Sequence, residues 1–163
     1  MKLPQNGFTL IELLIVIVIL SIIAAIAIPN LMAARRSANE AAAVSSMRSI
    51  VSAETTYRTT IGHGNFGDMT ALIGGGLLDG SFTSMTRTGY DFALTKVDES
   101  AGQPPIFNAS AIPVQYGTNS TGTGSKSFYT NETGVIYFNY LSTAPFPTSN
   151  LDRTVNDGGV ITN

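Results

Sequence analysis

One ionisable side chain stands where none is expected. The chain opens MKLPQNGFTLIELLIVIVILSIIAAIAIPN, and Glu12 is the single charge between Phe8 and Ile28. A carboxylate at the centre of a membrane helix costs about 2.5–3.5 kcal/mol on insertion scales, so its presence marks a function. Ion pairing is the chemistry open to it there. The remaining acids and bases offer no catalysis. His63 is the one histidine and cysteine is absent, which leaves no thiolate site and no His-rich metal centre. No spacing suggests a nucleophile with its base or two facing carboxylates, so no enzyme activity, metal or cofactor is expected. His63 reads as a surface or helix-capping residue. Gly74-Gly75-Gly76 lacks the lysine and following helix signal of a phosphate loop and reads as a flexible linker. Asp152 and Asp157, beside Gly158-Gly159, lack the dense alternation of oxygen ligands that a calcium loop needs.

The element that must carry Glu12 runs apolar from Leu13 to Ile28, interrupted only by Ser21. Three readings compete. A buried core helix would show an apolar stripe, and this run is apolar all round. A secretory signal peptide finds a thin positive region in Lys2 and a cleavage pattern in Ala25-Ile26-Ala27, but Glu12 and the length of the run oppose it. A retained membrane helix fits the length, since Phe8 to Ile28 reaches about 30 Å, the thickness of a hydrocarbon core. Lys2 on one side and Arg35-Arg36 on the other leave its orientation open.

Gly7-Phe8-Thr9-Leu10-Ile11-Glu12-Leu13 resembles the processing site of type IV prepilins: a short polar leader ending in Gly, then Phe, then Glu four residues later in an apolar helix. Pro29 falls where such pilins often carry a helix-loosening proline. The resemblance implies that a membrane aspartyl peptidase cuts between Gly7 and Phe8 and methylates the new amine of Phe8. It also implies a partner for Glu12, because cleavage creates an ammonium four residues away that a neighbouring subunit can also use. Opposite charges attract strongly in low dielectric, while either alone is costly to bury. Glu12 and Pro29 are then the residues expected to serve filament assembly.

Beyond Pro29 the sequence is rich in Ala, Arg, Met and Glu, which extends the helix to about Ile61. Pro29 and Asn30 weaken it locally. Val44, Met47, Val51, Tyr57 and Ile61 share one side at helical spacing and are expected to dock on a sheet. Arg48, Glu54 and Arg58 then lie on or near the polar side, with Glu54 and Arg58 forming an i,i+4 pair. Gly62 follows as the C′ residue. From Phe8 to Ile61 the helix would be about 80 Å long, and only its second half can pack on its own head. Burying one large aliphatic side chain contributes about 1.5–3 kcal/mol, so the apolar rod demands lipid first and other copies of itself afterwards.

The expected organisation is therefore a leader, 1–7; an apolar transmembrane and assembly helix, 8–30; the amphipathic half of the same helix, 31–61; and a β-sheet head, 62–163. One short helix is expected near Met69–Ile73 within an irregular connection, Gly62–Thr86. Strands are expected at Gly89–Thr95, Ile106–Ala109, Lys126–Thr130 and Val135–Phe138, with Asn131-Glu132-Thr133-Gly134 as a hairpin turn. GYxF, then SFYT, a turn and GVI resemble the heads of a group of short bacterial pilins. The fold class is α+β, a type IV pilin fold in which a long N-terminal helix packs on a small antiparallel sheet. Many type IV pilins close the head with a disulfide, which this chain cannot do. Gly117–Ser125 reads as an exposed loop. Asn108, Asn119 and Asn131 each begin an N-x-[ST] pattern, which chance explains.

The chain has 163 residues, 44% hydrophobic and only 12% charged, with a net charge of −2. No cluster of Lys or Arg is longer than Arg35-Arg36, which gives nucleic-acid binding no support. The resemblance implies a structural subunit of a type IV pilus, with other copies of itself, a prepilin peptidase, an inner-membrane assembly platform and membrane lipid as partners. It would be a single-pass inner-membrane protein before assembly and part of an extracellular filament afterwards. Motility, adhesion and DNA uptake are all open to such a filament. A pseudopilin of a type II secretion system is the alternative, because it shares the N-terminal machinery.

Overall fold

A computed structural model describes residues 7–117, 121–147, 153–156 and 158–161. The leader up to Asn6, Lys2 with it, lies outside the described residues, as do Asn119, Asp152 and Asp157. Helix α1 runs from Leu10 to Thr60, 51 residues, straight through Pro29. It starts later than Phe8 because Thr9 takes an extended conformation and caps it. At its other end Ile61 is the C-cap, and the chain reverses through His63 and Gly64 at φ 48° and 99°. Gly62 does occupy C′, but its backbone is not left-handed. Glycine is needed there for space: a Cβ would lie 2.2 Å from the Asn65 carbonyl oxygen.

The short helix α2 spans Met69–Gly74, capped by Asp68, whose carboxylate accepts the Ala71 N–H at 2.7 Å. The triple glycine is not a flexible linker. Gly74 ends α2, Gly75 donates to the Ala71 carbonyl at 2.9 Å, and Gly76 turns the chain at φ 70°. A 3-10 helix, Gly80–Ser84, follows.

Six strands then form one antiparallel meander in sequence order: β1 Thr86–Arg87, β2 Tyr90–Val97, β3 Ile106–Pro113, β4 Ser127–Asn131, β5 Ile136–Asn139 and β6 Gly159–Val160. β2 to β5 are the four expected strands, with β3 extending four residues further than its alternation suggests. β1 and β6 are additions. Thr88-Gly89 makes the two-residue turn between Arg87 and Tyr90, both with positive φ. The β4–β5 hairpin turns on Gly134, and the Asn131 side chain holds it by accepting from the Thr133 N–H at 3.0 Å.

The core lies between α1 and the sheet. α1 contributes Ala43, Met47, Ile50 and Ala53; the sheet contributes Tyr90, Phe92, Ala109, Ala111, Phe128 and Ile136. The expected docking stripe is therefore rotated. Met47 is at its centre, but Val44, Val51 and Tyr57 only flank the core and Ile61 is exposed. Two alanines take the central positions because their small side chains let the helix backbone approach the sheet, and a count of large apolar residues does not register them. Glu54, expected on the polar side, is fully buried.

Every residue of β4 is buried, so both of its faces are covered. Phe128 faces the core, while Tyr129 meets Phe146 of the C-terminal segment edge-on at 5.2 Å. Arg153 fastens that segment. Its guanidinium donates to both oxygens of Glu132, at 2.6 and 2.7 Å, and to the Phe107 carbonyl at 2.9 Å.

Candidate functional site

The stem of α1 is held to the head only from Arg36 onward. Arg36 donates to the Gly117 carbonyl at 3.3 Å and Asn39 to that of Thr123 at 2.9 Å. Glu40 accepts from the Ser125 N–H and hydroxyl, at 2.9 and 2.8 Å, with Lys126 3.6 Å away. From Leu10 to Leu31 the helix projects free for about 33 Å. The large aliphatic side chains from Leu10 to Leu31 are 49–85% exposed. Length and composition allow this part of the helix to cross a membrane, and none of its apolar window is covered by the protein itself. Ser21, the one break in the run, gives its hydroxyl to the Ile17 carbonyl at 2.7 Å and so brings no unmet donor into the rod. Pro29 has no N–H to give the Ala25 carbonyl, which leaves that acceptor unpaired within the helix.

Glu12 occupies the third helical position and forms a capping box with Thr9. The Thr9 N–H and hydroxyl donate to Glu12 Oε2 at 2.9 and 2.7 Å, while the Glu12 N–H donates to Thr9 Oγ1 at 3.3 Å. Before any cleavage, then, the carboxylate already has a partner in its own helix. The T-x-x-E spacing was visible in the sequence as this signature, and Thr9 is the residue that reasoning from Glu12 alone overlooks. Gly7 and Phe8 precede the helix, and both are exposed, Phe8 at 91%. A Cβ placed on Gly7 would meet nothing within 4 Å. Nothing in this chain's packing asks for glycine at that position.

The prokaryotic N-terminal methylation motif matches residues 2–28. The N-terminus of this chain thus carries that motif. The chain is 49% identical over 53 residues to the type IV wide pilus major component PilA4 of Thermus thermophilus, covering 32% of this chain and 40% of that one. It is 32% identical over 112 residues to the type IV major pilin PilA of Myxococcus xanthus, covering 68% of this chain and 46% of that one. It is also 44% identical over 54 residues to the type II secretion system core protein G of Pectobacterium carotovorum, covering 33% and 35%. The chain thus spans less than half the length of each of these relatives. No solved structure is significantly similar to it.

The other sites weighed in the sequence dissolve in the fold. His63 is exposed at the helix end, and among the described residues no three His, Cys, Asp or Glu side chains could hold a metal ion. Asn131 is buried, and the half-buried Asn108 accepts from the Tyr129 hydroxyl at 2.7 Å. The Glu54–Arg58 pair is replaced by other contacts. Arg58 donates to the Gly64 carbonyl at 3.0 Å and lies over the Phe66 ring, and Glu54 turns inward to accept the Gly67 N–H at 2.8 Å. Burial is the main cause that pushes the Glu54 carboxyl up to about 7, against the Gly67 hydrogen bond and the charge of Lys96, which lower it. No periodicity in the sequence announces this, because the amide that draws Glu54 inward belongs to a loop.

Proposed function

We propose that this chain is the structural subunit of a type IV pilus, inserted as a single-pass inner-membrane protein and then polymerised into an extracellular filament. The observation that carries the reading is the free aliphatic rod from Leu10 to Leu31, which no part of its own head covers. Lipid satisfies the rod before assembly, and parallel copies satisfy it afterwards. A prepilin peptidase cuts between Gly7 and Phe8 and methylates Phe8. Support comes from the exposed, non-helical chain at that bond and from a glycine that the fold itself does not require. Glu12, held at the helix end by Thr9, lies next to where the new amine forms and pairs with it in the filament. Pro29 supplies the weak point that lets the stem bend as the assembly platform extracts it.

A second reading, a pseudopilin of a type II secretion system, draws on the likeness to core protein G. That likeness covers about one helix length of this chain. The likeness to the Myxococcus pilin is long enough to continue well into the head, which favours the pilus. The test is the intact mass and first residue of the mature protein from its native host, with microscopy of the cell surface. Phe8 as first residue, one methyl group heavy, in sheared surface filaments is the expected result. A mature chain starting at Ile28 would overturn the reading, and one starting at Phe8 with no surface filament would transfer it to the pseudopilin.

A further inference from the structure

One end of the head carries a cluster of exposed apolar side chains. β4 starts beside the stem, where Lys126 meets Glu40, and its register sets Ser127 opposite Asn139 of β5 and Phe128 opposite Ala111 of β3. β3 and β5 run antiparallel to β4, so both finish at that same end. The residues that follow them include Val114 and Tyr116, then Tyr140 and Leu141, exposed at 54%, 36%, 61% and 49%. Hydrogen bonds fix the backbone that carries these four. The Val114 N–H donates to the Gly89 carbonyl at 3.0 Å, the Tyr116 hydroxyl to the Tyr140 carbonyl, and the Ser127 hydroxyl to the Leu141 carbonyl at 2.7 Å.

The free rod leaves the head from this end. Arg36 and Glu40, which tie the stem to it, lie about 8 and 14 Å past Leu31 along the axis. The rod from Leu10 to Leu31 fills a hydrocarbon core of about 30 Å, and the headgroup layer beyond is about 5–8 Å deep. The stem end of the head thus begins at the outer limit of that layer, and a tilt of about 20°, the average for spanning helices, swings one side of it onto the lipid. Tyrosine, with an apolar ring and a polar tip, is enriched at that depth. The charges suit an anionic surface. Arg35, about 6 Å past Leu31, is exposed and has no bonded partner among the described residues. Lys126 and Glu40 neutralise each other, and the β1 edge carries one charge of each sign in Arg87 and Asp91, so Arg35 and Arg36 leave this end cationic.

We propose that before assembly the stem end of the head docks on an anionic lipid surface, with Tyr116, Tyr140 and Leu141 in the headgroup layer and Arg35 on lipid phosphates. This rests on the membrane reading above and adds to it where the head lies. The chain has no tryptophan, so a single introduced one reports alone. Tyr140→Trp, Thr60→Trp and Ile19→Trp are made separately in the full chain. Each is placed one copy per nanodisc of phosphatidylglycerol and phosphatidylcholine, so that no second copy can cover the patch. Nitroxide lipids then quench by depth. A headgroup nitroxide should quench Tyr140→Trp and leave Thr60→Trp, about 36 Å further along α1 than Arg36, unquenched. A mid-chain nitroxide should quench Ile19→Trp. Leu141→Trp repeats the reading if Tyr140→Trp disturbs the head. Arg35→Gln, added to Tyr140→Trp, should lower the docked-to-undocked ratio about fivefold in anionic discs and leave it unchanged in pure phosphatidylcholine. An equal effect in both lipids overturns the part given to Arg35. Tyr140→Trp and Leu141→Trp no more quenched than Thr60→Trp, with Ile19→Trp quenched, overturn the docking and leave the membrane helix standing. Ile19→Trp unquenched overturns the membrane reading and the docking with it.

Discussion

The buried carboxyl of Glu54 should make the head less stable as pH rises through neutrality. Its folded value is about 7 against an ordinary 4.5, so the folded state holds the proton more tightly than the unfolded chain. The stabilisation is fully present below pH 4.5, drains away as pH rises, and is gone above about 7. A difference of that size corresponds to about 3 kcal/mol. The cause is geometric: one carboxyl oxygen accepts the Gly67 N–H, and the other is buried with no partner, so ionisation places charge where only one donor meets it. Glu54→Gln keeps the shape and the acceptor for Gly67 but cannot ionise. The assay is guanidinium unfolding of the full chain in detergent micelles at pH 5 and pH 8, followed by tyrosine near-UV circular dichroism. Other groups titrate too: Asp79, held low by its Ser81 hydrogen bonds, works in the opposite direction at acid pH. The quantity to read is therefore the difference between the wild type and the variant. Between pH 5 and 8 the wild type should lose most of that 3 kcal/mol relative to Glu54→Gln. Parallel losses in the two proteins would refute the reasoning.

Three further outcomes are expected. Glu12→Val should insert and be cleaved but yield few filaments when expressed alone, and a normal filament yield would sink its role in assembly. Thr88→Asn replaces a β-branched residue at φ 47° with one that tolerates this conformation, and should stabilise the head by about 0.5–1 kcal/mol, read as a higher melting temperature. Arg153→Met leaves the half-buried Glu132 without its partner and should cost about 2 kcal/mol, with faster hydrogen exchange at β5 and β6 than in the core of β3.

Much of this architecture was legible because it is local. The methylation motif is a fixed run of neighbours, α1 follows from a long stretch of good helix formers, and β2, β4 and β5 alternate around turns with recognisable residues. What stayed hidden depends on chain segments that meet only after folding. Glu54 and Arg58 have the spacing of a surface pair, yet the reversal at His63 and Gly64 brings the Gly67 amide against the helix and takes one of them inside. The docking stripe was misplaced by part of a turn because Ala43 and Ala53 contribute by being small. Arg153 stands alone in a polar tail, and nothing near it in sequence indicates that Glu132 and the Phe107 carbonyl await it across the sheet. Thr9 was legible and overlooked, since a carboxylate in an apolar run invites a distant partner when a near one suffices.

The Arg153 fastening has a consequence for how the head is made. A covalent staple requires an electron acceptor, and once closed it stays closed until a reductant opens it. Here closure is a matter of proton-bearing groups finding their acceptors, so it proceeds in any redox environment and can be undone and repeated. A head that has come open at this contact can therefore close again with no enzyme and no oxidant at hand.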